Sequence, residues 1–218
     1  MPQFKACIFD MDGVLLDSER IIRDVFTQVS TESGFVVSSE VYLKCVGRNS
    51  RDTRDIMSEH LGSDFPYEEI KLKVRDLISK QITTSGWPLK PGVIQGLEDL
   101  RKNQIRCCVA TSTDQNEARK RLHNLARYFE HISSGDEVSK GKPDPELFLL
   151  AASRLAVDPK DCVVIEDSEY GAQAALSAGM NCLIVPDLKI PPEWLIPKVS
   201  GVFAGMDEAI DWILRCSY

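Results

Sequence analysis

The fold is decided by the stretch Asp10-Met11-Asp12-Gly13-Val14, which directly follows an apolar run over residues 4–9. The apolar run predicts a buried strand, and two carboxylates separated by one residue then stand at its carboxyl end. Carboxylates crowded at such a place repel each other unless a cation joins them. In an open α/β sheet the carboxyl edge is also where ligands bind. The stretch therefore predicts a strand-end site in which acidic side chains surround a cation.

Size and charge narrow the function classes. The chain has 218 residues and a formal net charge of −7, and it contains no run rich in lysine and arginine. The acidic balance argues against nucleic acid or an anionic membrane as a partner, and no stretch is long and apolar enough to cross a bilayer. We expect a monomer that acts on a small molecule, with any anionic substrate attracted by a local cation.

The cysteines indicate the cellular compartment. There are seven, an odd number, scattered without a CxxC pair. Five of them lie in apolar, strand-like runs: Cys7, Cys107, Cys108, Cys162 and Cys182. This usage is typical of small buried hydrophobic residues in a reducing compartment. The first residues do not have the pattern of a signal peptide, so we expect a cytoplasmic protein.

The hydrophobic pattern changes character twice along the chain. Residues from about 18 to 83 show only helical periodicity, with Ser18 and Ser50 as candidate helix caps. From residue 86 onward, helices alternate with apolar strands at 105–110, around 132, at 162–165 and at 182–185. Strands that are apolar on both faces predict a parallel sheet with helices on both sides. The helical segment therefore reads as an insertion after the first strand.

We thus predict an α/β fold: a Rossmann-like parallel sheet core with an inserted all-helical cap subdomain. The core is assigned to residues 1–14 and 85–218, and the helical cap to residues 15–84. Joints near 13–17 and 84–91 would let the cap hinge over the sheet edge.

Polar residues follow several predicted strands and would converge on that edge. They are the two aspartates above, Thr111-Ser112 after the second strand and Glu166-Asp167 after the fourth, joined by Lys142 from a preceding loop. Carboxylate oxygens suit Mg²⁺, whereas a hydroxyl and a lysine suit the oxygens of a phosphoryl group. Such a set would neutralise charge during phosphoryl transfer.

Together these features resemble the four motifs of the haloacid dehalogenase superfamily. The match consists of DxDGV at 10–14, the strand that ends in Thr111, Lys142 before a proline, and the pair Glu166-Asp167. Their order and spacing cover nearly the whole chain. Within the superfamily the chain is most similar to the β-phosphoglucomutase-like and sugar-phosphatase-like group. The resemblance implies a phosphatase that hydrolyses a small phosphorylated metabolite, with a sugar phosphate as the expected substrate.

The resemblance also implies roles in catalysis. Asp10 would be the nucleophile that becomes an aspartyl phosphate, and Asp12 would protonate the leaving oxygen and then activate water. Thr111, Ser112 and Lys142 would hold the phosphoryl oxygens.

A Mg²⁺ ion would be bound by the carboxylates of Asp10 and Asp167 and by Asp12 through its carbonyl. Glu166 is also assigned as a ligand of this metal. Alternatively, it would assist through a water molecule or orient a neighbouring side chain. In the helical cap, Glu19, Arg48 and Arg51 are candidates for contact with substrate. The alternative for the two arginines is a turn with solvated side chains.

Two other functions stay open. A hexose-phosphate mutase would use the same aspartyl phosphate, but mutases of this group carry a serine and a lysine where this chain has Thr113 and Asp114. An acid there would repel a second phosphate. A receiver-type signalling module also carries a phosphorylatable aspartate on a parallel sheet. The long helical segment and Asp12 argue against the signalling module.

Overall fold

The computed structural model describes residues 4–82 and 86–216, and within them six strands form a single parallel sheet. In chain order the strands are β1 Ala6–Phe9, β2 Arg106–Thr111, β3 Ile132–Ser134, β4 Cys162–Glu166, β5 Asn181–Ile184 and β6 Gly201–Val202. Their order in the sheet is β3-β2-β1-β4-β5-β6. The chain runs from β1 outward through β2 to β3, and then returns to the other side of β1 and runs outward through β4 and β5 to β6. This reversal of strand order beside β1 opens a crevice at the carboxyl edge.

Helices cover both faces of the sheet, as the apolar strands require. In the described residues they are α1 Glu19–Glu32, α2 Ser39–Cys45, α3 Ser50–Leu61, α4 Tyr67–Ile82, α5 Val93–Lys102, α6 Gln115–Arg121, α7 Glu146–Leu155, α8 Glu169–Ser177 and α9 Met206–Cys216. Along β1, Cys7 and Phe9 pack with α5 and α9, whereas Ala6 and Ile8 pack with α7 and α8. This alternation confirms the predicted α/β fold with a sheet buried on both sides.

The helices α1 to α4 and their loops, here called the helical insertion, have a hydrophobic core of their own. Phe26 of α1 lies at its centre, with ring centroids 6.0 Å from Tyr42, 6.4 Å from Phe65 and 6.4 Å from Tyr67. Two chain passages join the insertion to the sheet, and they run side by side. The amide of Asp17 donates to the carbonyl of Pro88 at 2.9 Å. The predicted boundary at 84/85 falls outside the described residues.

Several details differ from the sequence expectations. The short helix α2 was not predicted, since seven residues make only about two turns and do not establish a period. Asn49, not Ser50, caps α3, because its side chain accepts a hydrogen bond from the amide of Asp52 at 2.9 Å. The two-residue β6 was also missed. No helix among the described residues has the length and apolar character needed to cross a membrane.

Candidate active site

A fully buried lysine lies at the centre of the carboxyl edge. Lys142 has no solvent exposure, and its Nζ donates to Oδ1 of Asp10 at 2.5 Å and to Oε1 of Glu166 at 2.6 Å. A third contact, at 3.3 Å, goes to the carbonyl of Ala110 in β2. The lysine thus joins the ends of three neighbouring strands, β2, β1 and β4. Burial of an ammonium group is tolerated here because ion pairs and hydrogen bonds compensate its lost hydration.

Glu166 is fully engaged in holding this arrangement. While Oε1 accepts from the lysine, Oε2 accepts from the amides of Asp167 and Ser168 at 3.0 and 2.9 Å, and from the Ser168 hydroxyl at 2.9 Å. Both carboxylate oxygens are therefore occupied. Of the roles expected for Glu166, these contacts favour orientation of a neighbour, Lys142, over direct binding of a metal.

Asp167 lies next to these groups but has a different environment. Its side chain is buried, and within residues 4–82 and 86–216 its carboxylate accepts no hydrogen bond and forms no ion pair. It faces Gly13, where an added Cβ would meet Oδ2 of Asp167 at 2.4 Å. Burial, and then the carboxylates of Glu166 and Asp10, raises the pKa of Asp167 well above its usual value. This carboxylate lacks the cation that its neighbours share.

The charge of the cluster fits a divalent cation. If Asp10, Glu166 and Asp167 are ionised, Lys142 offsets one of three negative charges, and two remain. Burial raises the pKa of Asp10 to about 7, although Lys142 opposes the rise. Residues 4–82 and 86–216 contain no group of three or more His, Cys, Asp or Glu side chains placed to hold a metal ion. Mg²⁺ does not need one, because it is usually bound by one or two carboxylates, water and substrate phosphate.

Asp12 is held by three donors from three different elements. Oδ1 accepts from the hydroxyl of Ser18 at 2.5 Å and from Nη1 of Arg121 at 3.0 Å. Oδ2 accepts from the hydroxyl of Thr113 at 3.0 Å. The Ser18 side chain makes no capping bond to α1, so its hydroxyl serves the aspartate instead of the helix terminus. Asp12 therefore lies where β1, α6 and the start of the helical insertion meet.

The end of β2 supplies the predicted hydroxyls. Thr111 is buried, and its Oγ1 accepts from the amide of Thr113 at 3.1 Å, which leaves its hydrogen free to donate. Ser112 donates to the carbonyl of Gly47 at 3.1 Å and so joins β2 to the helical insertion. Asp114 is exposed and caps α6, accepting from the amide of Glu117 at 3.1 Å.

A cavity of about 290 Å³ extends from these residues into the helical insertion. Asp10, Asp12, Thr111 and Ser112 line its floor, whereas the walls above them are largely apolar and come from α1, α2, α3 and α4. The volume is at the small end of the range of about 300–1,000 Å³ for ligand pockets. The site therefore accommodates small ligands.

The candidate cap residues do not all face this cavity. Glu19 lines it, and burial, followed by the charges of Asp12 and Asp10, raises the pKa of Glu19 to about 8. Arg48 also lines it, with its guanidinium 3.9 Å from the ring centroid of Tyr170. Arg51 lies elsewhere, in a separate shallow depression, where Nη1 donates to the carbonyl of Ser139 at 3.5 Å. The structure thus brings two of the three candidates to the cavity.

Ser18 was expected only as a helix cap, and none of the three side chains that donate to Asp12 was predicted as its partner. Arg121 and Thr113 are separated from Asp12 by 109 and 101 positions, and neither belongs to a motif that points to an aspartate. Only the expected convergence of β1 and β2 could have suggested Thr113. No signal in the chain identified Arg121.

Comparison of the chain with known proteins identifies its family. A model of the haloacid dehalogenase-like hydrolases matches residues 4–179. The chain belongs to this family. The chain is a phosphoric monoester hydrolase, as the family match and its similarity to named phosphatases show.

Two relatives and one solved structure illustrate the similarity. The "Phosphorylated carbohydrates phosphatase" of Thermotoga maritima is 37% identical over 179 residues, 81% of this chain and 82% of the relative. The "Probable pseudouridine-5'-phosphatase" of Drosophila melanogaster is 36% identical over 195 residues, 86% of this chain and 84% of the relative. The crystal structure of a β-phosphoglucomutase from Clostridium difficile has a TM-score of 0.81 at 23% identity, covering 99% of this chain and 97% of that one. At this identity the crystal structure shows the fold alone.

Proposed function

We propose that this hydrolase is a Mg²⁺-dependent phosphatase that cleaves a small phosphorylated metabolite, a sugar phosphate, through an aspartyl phosphate on Asp10. The observation that carries the proposal is the fully buried Lys142, which joins Asp10 and Glu166 at the meeting point of three strand ends. Structural ion pairs rarely require a lysine without any exposure. A cation at this place, beside a hydroxyl and a free carboxylate, suits a bound phosphoryl group.

Each of these residues has a separate role in the two steps of the proposed hydrolysis. Oδ1 of Asp10 is held by the lysine, so Oδ2 is the oxygen that attacks phosphorus. The bond from phosphorus to the leaving oxygen breaks as Asp12 gives that oxygen its proton. Water then loses a proton to Asp12 and attacks phosphorus, which breaks the bond to Asp10 and releases phosphate. Thr111, Ser112 and Lys142 hold the phosphoryl oxygens.

The carboxylates of Asp10 and Asp167 and the carbonyl of Asp12 would hold the metal. When bound there, Mg²⁺ would supply positive charge that offsets the charge of the transferring phosphoryl group. The gathering of three carboxylates around a single lysine supports this assignment, because a divalent cation would compensate their charge on ionisation. Glu166 keeps Lys142 in place and is not assigned to the metal.

The helical insertion is proposed to act as a cap, over the predicted range 15–84. Its walls enclose the cavity above the aspartates, and Glu19 and Arg48 are proposed to contact the leaving group there. A cavity of this size favours a small metabolite over a polymer, and the similarity to a phosphorylated carbohydrates phosphatase and to a probable pseudouridine-5'-phosphatase supports a phosphorylated carbohydrate or a similar compound. A monomer in the cytoplasm, in keeping with seven free cysteines, completes the proposal.

The experiment is turnover of a panel of sugar phosphates by the wild-type chain and by Asp10→Asn. We expect release of phosphate by the wild type, loss in EDTA, recovery with Mg²⁺, and activity lower by a factor of at least about 10⁴ in the variant. Acid-quenched wild type should carry phosphate on Asp10. Normal turnover by Asp10→Asn would contradict the nucleophile, and full activity in EDTA would contradict the metal.

The same assay separates a hydrolase from the mutase alternative. With β-glucose 1-phosphate and a trace of bisphosphate primer, free phosphate identifies the hydrolase and glucose 6-phosphate identifies the mutase. The exposed Asp114, which caps α6, supports the hydrolase because a lysine for a second phosphate is absent at this place.

A further inference from the structure

The guanidinium of Arg121 links two carboxylates that belong to different elements. Its Nε donates to Oε1 of Glu117, one turn earlier in α6, at 3.0 Å, and its Nη1 donates to Oδ1 of Asp12 at 3.0 Å. The three side chains are only 13–17% exposed. Arg121 therefore provides a buried ion-paired bridge from α6 to the end of β1.

A third contact fixes the plane of the guanidinium. It lies over the ring of Trp87, with 4.5 Å from Cζ to the ring centroid. Trp87 belongs to the passage by which the chain leaves the helical insertion. Because a guanidinium is planar and donates in a rigid fork, one stacked face and two paired edges leave it a single orientation. Asp12 consequently meets a donor whose position is set before substrate binds.

The other contacts of Asp12 are weaker constraints. Ser18 and Thr113 donate through hydroxyls, which are neutral and rotate freely. Arg121 is the charged partner of Asp12 within the described residues. Arg121 also lines the cavity, but its two hydrogen bonds to side chains both go to carboxylates, one of them Asp12. These contacts give the arginine the task of placing the acid.

We propose that Arg121 is a positioning residue that holds Asp12 where its proton reaches the leaving oxygen. The inference rests on the proposed function, because it assigns Asp12 the transfer of a proton in the first step. A misplaced acid harms most those substrates whose leaving group needs a proton. Substrates whose leaving group departs readily as an anion should be affected far less.

The test uses two esters that differ chiefly in the acidity of the leaving group, phenyl phosphate and p-nitrophenyl phosphate. We measure kcat/KM, which covers the steps up to departure of the leaving group and excludes later hydrolysis of the aspartyl phosphate. For Arg121→Leu we expect a loss of about 10- to 100-fold on phenyl phosphate and about 3-fold or less on p-nitrophenyl phosphate. Arg119→Leu, an exposed arginine of the same helix, is the matched control and should leave both values unchanged.

A second variant keeps the buried charge in case Arg121→Leu folds poorly. Arg121→Lys reaches one carboxylate at a time, and we expect an intermediate loss with the same preference for the nitrophenyl ester. Equal losses on the two esters in both variants would indicate a purely structural role and overturn the inference. If the wild type hydrolysed neither ester nor any sugar phosphate, the proposed function itself would fail, and this result is distinguishable from the first.

Discussion

Among single side chains, the position of Glu166 depends on the glycine that faces it. An alanine usually stabilises a helix relative to glycine by about 0.5–1 kcal/mol. At Gly171, however, an added Cβ would lie 1.8 Å from Oε1 of Glu166, the oxygen that holds Lys142. We expect Gly171→Ala to lower stability by about 1–3 kcal/mol and to reduce kcat/KM by at least about tenfold.

Denaturant unfolding and steady-state kinetics check this expectation. Ser177→Ala, at an exposed position of the same helix, is the control and should preserve both quantities. A Gly171→Ala protein with unchanged stability and turnover would show that the glutamate can move without cost, contrary to its proposed positioning role.

The individual side chains also show where sequence reasoning reaches its limit. Lys142 and Asp167 were predictable, since each stands beside a strong strand or a proline-marked loop. The use of Ser18 was not, because a serine before a helix is ordinarily its cap, and only the path of the chain shows that its hydroxyl reaches Asp12. Arg121 was beyond reach for a similar reason. Its partners lie on other elements, and local spacing carries no information about them.

At the scale of helices, strands and loops, the turn before α3 packs against the carboxyl edge of the sheet and joins the helical insertion to it by contact. Gly47 has a φ of +80°, and an added Cβ would meet Oγ of Ser168 at 2.5 Å. We expect Gly47→Ala to displace this turn, move Arg48 from the cavity, and lower kcat/KM on the order of tenfold, mainly through KM.

Gly34→Ala provides a matched control for this prediction. Gly34 has a φ of +88° but nothing within 4 Å of an added Cβ. The control thus carries similar backbone strain, about 1–3 kcal/mol, without the clash. Steady-state kinetics should show a normal KM for Gly34→Ala. The same KM in both variants would mean that the turn has no part in substrate binding.

A second link between elements joins β3 to α7. Glu137 accepts from Nη2 of Arg154 at 2.7 Å and from the hydroxyl and amide of Ser134 at 2.9 and 3.0 Å. The bond to Arg154 contributes most to lowering the pKa of Glu137 to about 2. Since the folded-state pKa lies below the unfolded value, the stabilisation is complete above about pH 4.5 and is lost as the pH falls toward 2.

We therefore expect Glu137→Gln to lower stability at neutral pH by about 1–2 kcal/mol and to flatten the loss of stability in acid. Urea unfolding across this pH range is the measurement. Glu193→Gln, at an exposed loop position, should follow the wild type. An acid profile of Glu137→Gln that overlaid the wild type would place the stabilising charge elsewhere.

Most strands were predictable from the sequence, and the exception is a strand that is defined only by its pairing with a neighbour. Runs such as Cys162–Glu166 are buried on both faces, so their apolar character identifies them without reference to neighbours. The strand Gly201–Val202 has two residues and an exposed side chain, and only pairing with β5 defines it. The helix after β2 is also hard to delimit from sequence, because it ends at Arg121 and is followed by a 3₁₀ turn over His123–Tyr128.

For the molecule as a whole, we expect the buried carboxylates to make stability depend on pH and on the proposed cation. The pKa of Asp10 is about 7 in the folded chain, above its ordinary value of 3.8. Between these values the folded state holds a proton that the unfolded state has lost. The contribution of Asp10 to stability therefore falls as the pH rises from about 4 to about 7, and above this range Lys142 offsets the buried charge only in part.

A divalent cation should reverse this loss. We expect Mg²⁺ to raise Tm, and to raise it more above about pH 7, where Asp10 is ionised without help, than at about pH 5, where protons compete with the metal. Thermal unfolding with and without Mg²⁺ at the two pH values measures the effect, with NaCl at equal ionic strength as the control for screening. Asp167→Asn should lose most of the Mg²⁺-dependent rise, because it removes the carboxylate that has no cation of its own. An equal rise at both pH values, or an undiminished rise in Asp167→Asn, would place the ion away from the end of β1.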